Sequence, residues 1–269
     1  MDHQLVSIQS VPRSGSSWLG QIFRSSVQVA FRYQPLFSYA FKGRLDERCN
    51  RKEILEFFEE IRRTDDDFVL QQDAAIHVDH PVVHERDMVS HIVMKEVRYN
   101  HIIRNMLEQV PELKVIGLVR HPCAVLDSWI NAPREFEKQW NLQEEWRSGA
   151  RKNQDRPEEF FGFDKWKEVA QLFIDLEQEY PDQMKVVRYA DLNADPQAVV
   201  KEIFTFCDLP FEAETEAFIL ESRNTEGNDT YSVYRKARED VAWKSRLPKP
   251  IADEILEEVG SCSLSRFLV

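Results

Sequence analysis

A strand that runs directly into an anion-type turn and then a helix constrains this chain more than any other feature. Leu5 to Val11 is mostly apolar, Pro12-Arg13-Ser14-Gly15-Ser16-Ser17 interrupts it, and Leu19, Ile22 and Phe23 then recur on one side of a helical pattern. In such a strand-turn-helix, successive backbone N–H groups and the positive end of the helix face into the turn, and Gly15 lets an anion approach the main chain. An ordinary strand-to-helix connection with a serine N-cap would account for Ser16 or Ser17, but not for Arg13 beside Ser-Gly-Ser-Ser. A nucleoside triphosphatase loop needs Lys immediately before Ser or Thr. Here no Lys precedes Ser16 or Ser17, and the basic residue comes earlier, at Arg13, where it can neutralise a terminal phosphate or sulfate without a metal.

The run P-R-S-G-S-S-W resembles the 5′-phosphosulfate loop of sulfotransferases that use 3′-phosphoadenosine 5′-phosphosulfate (PAPS). Arg with paired Ser is more similar to the carbohydrate sulfotransferases than to the cytosolic phenol and steroid enzymes, which carry Lys and Thr there. The resemblance implies donor contacts from Arg13, Ser14, Gly15, Ser16, Ser17 and Trp18. Further along, Leu113 to Val119 is almost wholly apolar, reads as a strand buried on both faces, and ends in Arg120-His121-Pro122. A triphosphatase strand at this place would end in a magnesium-binding Asp. L-V-R-H-P-C-A-V-L-D-S-W instead resembles the sulfotransferase 3′-phosphate motif, which implies that Arg120 and, eight residues on, Ser128 grip that phosphate. The family more often has Asp where His121 stands.

Between these motifs lies I-V-M-K-E-V-R-Y, residues 92–99, a strand ending in charges and leading to a helix with Ile102, Ile103, Met106 and Leu107 inward. Charges at the carboxyl end of a parallel strand point toward the ligand crevice of an open α/β sheet. The segment resembles the second-strand motif of enzymes that sulfate the 6-hydroxyl of N-acetylglucosamine and galactose; a surface salt-bridge ladder is the plainer reading. Lys95 and Arg13 are the candidates for stabilising the transferred group, and Glu96, then His101, for the general base. Met184 to Tyr189 forms a fourth strand, and V-R-Y-A-D-L-N-A-D-P resembles the turn after it in the family, which implies Tyr189 near the adenine. Near the end, Arg235 ahead of Trp243-Lys244 and Leu247 resembles the segment whose Arg reaches the 3′-phosphoadenosine; Lys236 and Arg238 rival it, and Trp243 and Leu247 read as core.

The remaining stretches are less specific. Arg32 to Arg48 shows little periodicity but carries Tyr33, Pro35, Phe37, Tyr39 and Phe41, which either line an acceptor pocket or cover core. Asn50 caps a helix with an Ile54, Leu55, Phe57, Phe58, Ile61 stripe. Phe68 to His91 holds His77, His80, His84 and His91 among acids, a metal-ligand set in composition but a solvated loop on the plainer reading. Pro133 to Gly162 reads as a long excursion where acceptor specificity would lie, and Asp164 to Tyr180 as an amphipathic helix that Pro181 ends.

The 269 residues, 42% hydrophobic, suit one large domain over 1–269. No apolar run approaches the roughly 18 residues of a membrane helix, and four scattered cysteines suggest free thiols, so a cytoplasmic chain is expected. A net charge of −12 disfavours nucleic acid and polyanionic acceptors unless a basic patch overrides it. The resemblance implies a P-loop-like sulfotransferase fold, α/β with a central parallel sheet and helices on both faces. It also implies metal-independent sulfuryl transfer from PAPS, leaving PAP, to a hydroxyl or less often an amine of a saccharide or other small acceptor. The rival is a non-catalytic adenine-nucleotide-binding module; an acidic-loop metal hydrolase is a further alternative.

Overall fold

A computed structural model describes residues 3–72, 89–227, 229 and 231–269. Its frame is a parallel sheet in the order β2-β3-β1-β4-β5, formed by β1 Gln4–Gln9, β2 Val29–Tyr33, β3 His91–Glu96, β4 Lys114–Val119 and β5 Met184–Arg188. β1 pairs with β3 on one side and β4 on the other. β2 adds beyond β3, and β5 beyond β4. With all strands parallel, their carboxyl ends share one edge, and the chain reverses its direction of growth beside β1, where an open sheet of this kind forms its crevice.

Helix α1 Ser16–Arg24 joins β1 to β2, α2 Arg51–Arg62 follows β2, and α3 Ile103–Gln109 leads to β4. Between β4 and β5 lie α4 Pro122–Ile130, α5 Leu142–Ser148, α6 Ala150–Asn153 and α7 Phe163–Glu179. After β5 come α8 Tyr189–Ala194, α9 Pro196–Phe206, α10 Ala213–Asn224, α11 Trp243–Arg246 and α12 Lys249–Gly260. Every residue of β3 is buried, because helices cover both faces of the sheet. Side chains alternate between two cores. Leu5, Ile92, Met94 and Val115 pack with α2, α3, α7 and α12, whereas Val6, Ile8, Val93, Ile116 and Leu118 pack with α1, α9 and α10. On β3 this puts Lys95 on the α1 face and Glu96 on the α2 face.

β2 corrects the expectation of an irregular stretch from Arg32 onward. Arg32, which breaks the apolar run, is buried at 1% exposure, and its guanidinium donates to the carbonyls of Ile61 and Arg62 at the end of α2 and to that of Phe31. A charged residue inside a strand is tolerated there because it caps carbonyls that the helix leaves unpaired. Asn50 heads α2 in a reciprocal capping box with Glu53. Trp243 and Leu247 join the core. All four cysteines are free thiols, and no helix of the described residues is long and apolar enough to cross a membrane.

His77, His80 and His84 lie outside the described residues. His91 belongs to β3 and bonds the Cys207 carbonyl through Nε2 at 3.0 Å.

Candidate functional site

The carboxyl edge of the sheet carries a cavity of about 350 Å³, built from segments far apart in the chain. The first is the β1–α1 loop. Gly15 heads α1 with φ 92°, a left-handed conformation costly for any residue with a Cβ, and a Cβ built there would stand 2.5 Å from Tyr189 Cε2. Glycine therefore lets the loop turn and lets Tyr189 lie against it. Ser10 Oγ donates to Ser16 Oγ at 2.9 Å, tying the end of β1 to the start of α1. Pro12, Arg13, Gly15, Ser16, Ser17 and Trp18 line the cavity, while Ser14 does not: it is wholly buried behind the loop.

β4 and α4 form the second wall. Arg120 projects from the end of β4, its Nη1 donating to the Arg13 carbonyl at 2.8 Å and its Nε and Nη2 gripping the Asp240 carboxylate, with Nε at 2.7 Å. Its guanidinium carbon lies 5.0 Å from the centre of the Tyr189 ring. Ser128, on α4, accepts from Arg13 Nε at 3.2 Å. The expected Arg120–Ser128 pair thus differs in detail: both reach the cavity, but Ser128 is engaged by Arg13 and Arg120 by Asp240. His121 serves the helix instead, its Nδ1 accepting the Cys123 N–H at 3.2 Å while its ring stacks 4.7 Å from that of Trp243. Burial pushes His121 down to about 4, so it holds this cap as neutral imidazole.

β3 contributes Lys95 and, just beyond its end, Arg98. Lys95 is 2% exposed, with Nζ 4.6 Å from the centre of the Tyr33 ring. Desolvation lowers its pKa to about 7, opposed by Glu96 and Glu135 and reinforced by Arg98 and Arg13. Arg98 stacks on Phe37 at 3.9 Å while donating to Glu159 at 3.0 Å and to Gln34 at 3.1 Å. Of the three rival cations near the end of the chain, Arg235 lines the cavity and Lys236 and Arg238 do not. Burial and then Arg13 lower the pKa of Arg235.

Glu96, the first candidate for the general base, does not line the cavity, and the reason is strand alternation. One residue after Lys95, it faces the opposite core at 0% exposure, where its Oε1 accepts the Leu36 N–H at 2.8 Å. Burial raises its pKa to about 8. His101 also lies off the cavity, stacked between Tyr99 at 5.9 Å and Phe160 at 6.3 Å, with burial lowering its pKa. The structure instead brings in residues the motifs did not mark: Tyr33, Arg134, Glu135, Lys152, Arg223 and Tyr231. No spacing rule singles these out. The aromatic run around Tyr33 and Phe37 and the excursion after Pro133 were the legible signals, since both reach the cavity.

Among the described residues, the cavity lining holds the cations Arg13, Lys95, Arg98, Arg120, Arg134, Lys152, Arg223 and Arg235 against one acid, Glu135. A chain of net charge −12 thus gathers basic side chains around one crevice, so its average acidity does not bar anions from the site.

A family model described as "Sulfotransferase family" matches residues 6–213. Carbohydrate sulfotransferase 3 of Tetronarce californica is 27% identical over 185 residues, 66% of this chain and 41% of that protein. Carbohydrate sulfotransferase 1 of Danio rerio is 28% identical over 189 residues, 63% of this chain and 44% of that one. The match spans less than half the length of each of these relatives. Among solved structures, a mouse sulfotransferase complexed with PAP matches with TM-score 0.57 at 12% identity, covering 98% of this chain and 88% of that one. Retinol dehydratase in complex with retinol and PAP matches with TM-score 0.55 at 14% identity, covering 97% and 81%. These likenesses show a shared fold.

Proposed function

Because the chain belongs to the sulfotransferase family, we propose that its cavity transfers the sulfuryl group of PAPS to a hydroxyl of a carbohydrate or similar small acceptor. The observation that carries this reading is the convergence of the β1–α1 loop, Lys95, Arg120 with Ser128, and Arg235 on one crevice. Polyanion recognition needs that density of positive charge, and the β1–α1 loop brings the start of α1 to the same cavity.

The residues fit the donor. Arg13 and the amides at the start of α1 would hold the 5′-phosphosulfate, where the positive end of the helix favours an anion. Arg120, Ser128 and Arg235 would hold the 3′-phosphate, and Tyr189, packed against Gly15, the adenine. Trp18, whose Nε1 donates to Ser222 at 2.9 Å and whose ring lies under Arg223 at 5.5 Å, closes that side. PAPS supplies the activated sulfuryl group. Lys95, held in low dielectric against Tyr33, puts a preorganised charge where negative charge grows on the transferred oxygens. A carbohydrate acceptor is supported by the curated relatives, both named carbohydrate sulfotransferases. Tyr33, Phe37, Phe161 and Tyr231 offer ring faces of the kind that apolar sugar faces pack on.

Incubation with ³⁵S-labelled PAPS and panels of saccharides, phenols and amines tests the reading. Label should pass to saccharides. PAP binding with no transfer to any panel would leave a binding module, and stabilisation by magnesium ATP equal to that by PAP would overturn the donor.

A further inference from the structure

The cavity contains one acid that no motif marks, and its surroundings give it a task. Glu135 lies seven residues beyond Ser128, in the connection between α4 and α5. Its backbone is tied down: the N–H donates to the Ala132 carbonyl at 2.9 Å and its carbonyl accepts Trp129 Nε1 at 3.3 Å. The next residue, Phe136, packs edge-on against Trp129 at 5.2 Å. On the other side, the Arg134 N–H donates to the Tyr231 hydroxyl at 3.1 Å. The main chain is therefore held on both sides of Glu135, and its position does not depend on bonds made by the carboxylate.

That carboxylate is left for something else. Oε2 is buried and has no hydrogen-bond partner among the described residues. A buried carboxylate oxygen without a donor is costly and calls for a partner, and beside a ligand cavity a donor that arrives with the ligand can supply it. Glu135 lines the same cavity as Lys95, Tyr33 and Tyr231, and its charge acts on all three. Glu96, the other acid acting on Lys95, also has a buried unmatched oxygen, Oε2, but it is turned into the α2 core and does not line the cavity.

Resting on the sulfotransferase reading, we propose that Glu135 is the general base that takes the proton from the acceptor hydroxyl. As the acceptor oxygen forms its bond to sulfur, its proton passes to Glu135 Oε2. The bond from sulfur to the 5′-phosphate oxygen breaks, and its electron pair stays on the phosphate of PAP. The products are the sulfate ester, PAP and a protonated Glu135, which returns its proton to solvent. No redox partner enters. The acceptor must then be a group still protonated when it binds, such as a sugar hydroxyl, because a carboxylate among cations has nothing to remove from an acceptor that arrives ionised.

This gives a test that a merely structural role would not pass. Wild type and Glu135→Gln are compared with ³⁵S-labelled PAPS on a benzyl N-acetylglucosaminide and on 4-nitrophenol at a pH where the phenol is ionised, with PAP binding read by thermal shift. Transfer to the sugar should fall roughly 10²- to 10⁴-fold, transfer to the nitrophenolate should change much less, and the PAP shift should be unchanged. Where neither acceptor is used, hydrolysis of PAPS, with water in the acceptor's place, is compared and should fall in the same way. Equal loss on both acceptors, loss of the PAP shift, or full activity of Glu135→Gln would each overturn the assignment. If wild type neither binds PAP nor consumes PAPS, it is the sulfotransferase reading itself that fails.

Discussion

Lys95 lies under the influence of two carboxylates, one at the end of β3 and one in the connection after α4, and the two regions handle them in opposite ways. Glu96 sits in a regular strand, so its direction follows from that of its neighbour: Lys95 faces the cavity and Glu96 must face the other core. There it takes the Leu36 N–H and stays protonated up to about 8. Glu135 sits in irregular chain, where no period dictates a direction. Main-chain bonds hold its backbone beside the cavity that it lines, and its Oε2, like Oε2 of Glu96 in the other core, is buried and unmatched among the described residues. Of the two, the acid beside the motif lysine faces the α2 core, and the acid in the connection lines the cavity.

The sharpest way to break this contrast is to neutralise each acid in turn. Glu135→Gln should lower kcat on a saccharide roughly 10²- to 10⁴-fold, whereas Glu96→Gln, which replaces an already neutral carboxyl by an amide of the same shape, should stay within a few-fold of wild type. Exchanged results would restore Glu96 as the base.

Next in size is Arg120→Ala. Loss of a charge-assisted phosphate contact should weaken PAP by about 2 to 5 kcal/mol. Because Arg120 is also the partner of Asp240, with side chains 16% and 23% exposed, the variant should lose about 1 kcal/mol of stability as well. Adding Asp240→Asn should restore the melting temperature but not the PAP affinity. Recovery of both would show that Arg120 acts only on the protein.

The β3 pair should also leave a pH signature. Lys95 is protonated below about 7, so PAP should bind more weakly as pH rises through that value, by up to tenfold per unit, and should take up a proton above it. Calorimetry in two buffers of different ionisation enthalpy measures that uptake, and Lys95→Met should abolish it. Glu96 contributes a separate trend to stability. Its folded pKa, about 8, lies above its unfolded value, so its contribution is full below about 4.5 and is lost as pH rises through 8. Glu96→Gln should therefore melt higher than wild type at pH 8.5 and close to it only near pH 4.

The smallest expected effect is on the loop itself. Gly15→Ala adds a Cβ against Tyr189 at a left-handed φ and should cost about 1 to 2 kcal/mol of stability, with PAP binding weakened alongside. An unchanged melting temperature would mean that the loop relaxes freely.

How much of this was legible follows the same division between strands and connections. The β1–α1 turn is legible as strand, turn and helix, and Arg120 stands at the end of β4, whereas Ser128, the seventh residue of α4, and Tyr189 were marked only by resemblance to sulfotransferase motifs. β2 was obscured by Arg32, whose burial depends on the end of α2 arriving beside it, a tertiary fact. The sidedness of Lys95 and Glu96 was available from the period of a strand, but deciding which of the two faces the ligand required knowing where α1 and α2 pack. Glu135, Arg134 and Tyr231 meet across some hundred residues of chain through a main-chain bond to a hydroxyl, and no local pattern encodes that meeting.

Whether this cation-lined crevice is a site for PAPS is decided by titrating the protein with PAP and, separately, with adenosine 5′-phosphate, which lacks the 3′-phosphate. PAP at a hundredfold excess over its Kd should raise stability by about 2.7 kcal/mol, while adenosine 5′-phosphate at the same concentration should do far less. Equal stabilisation by the two nucleotides, or none by PAP, would contradict that assignment.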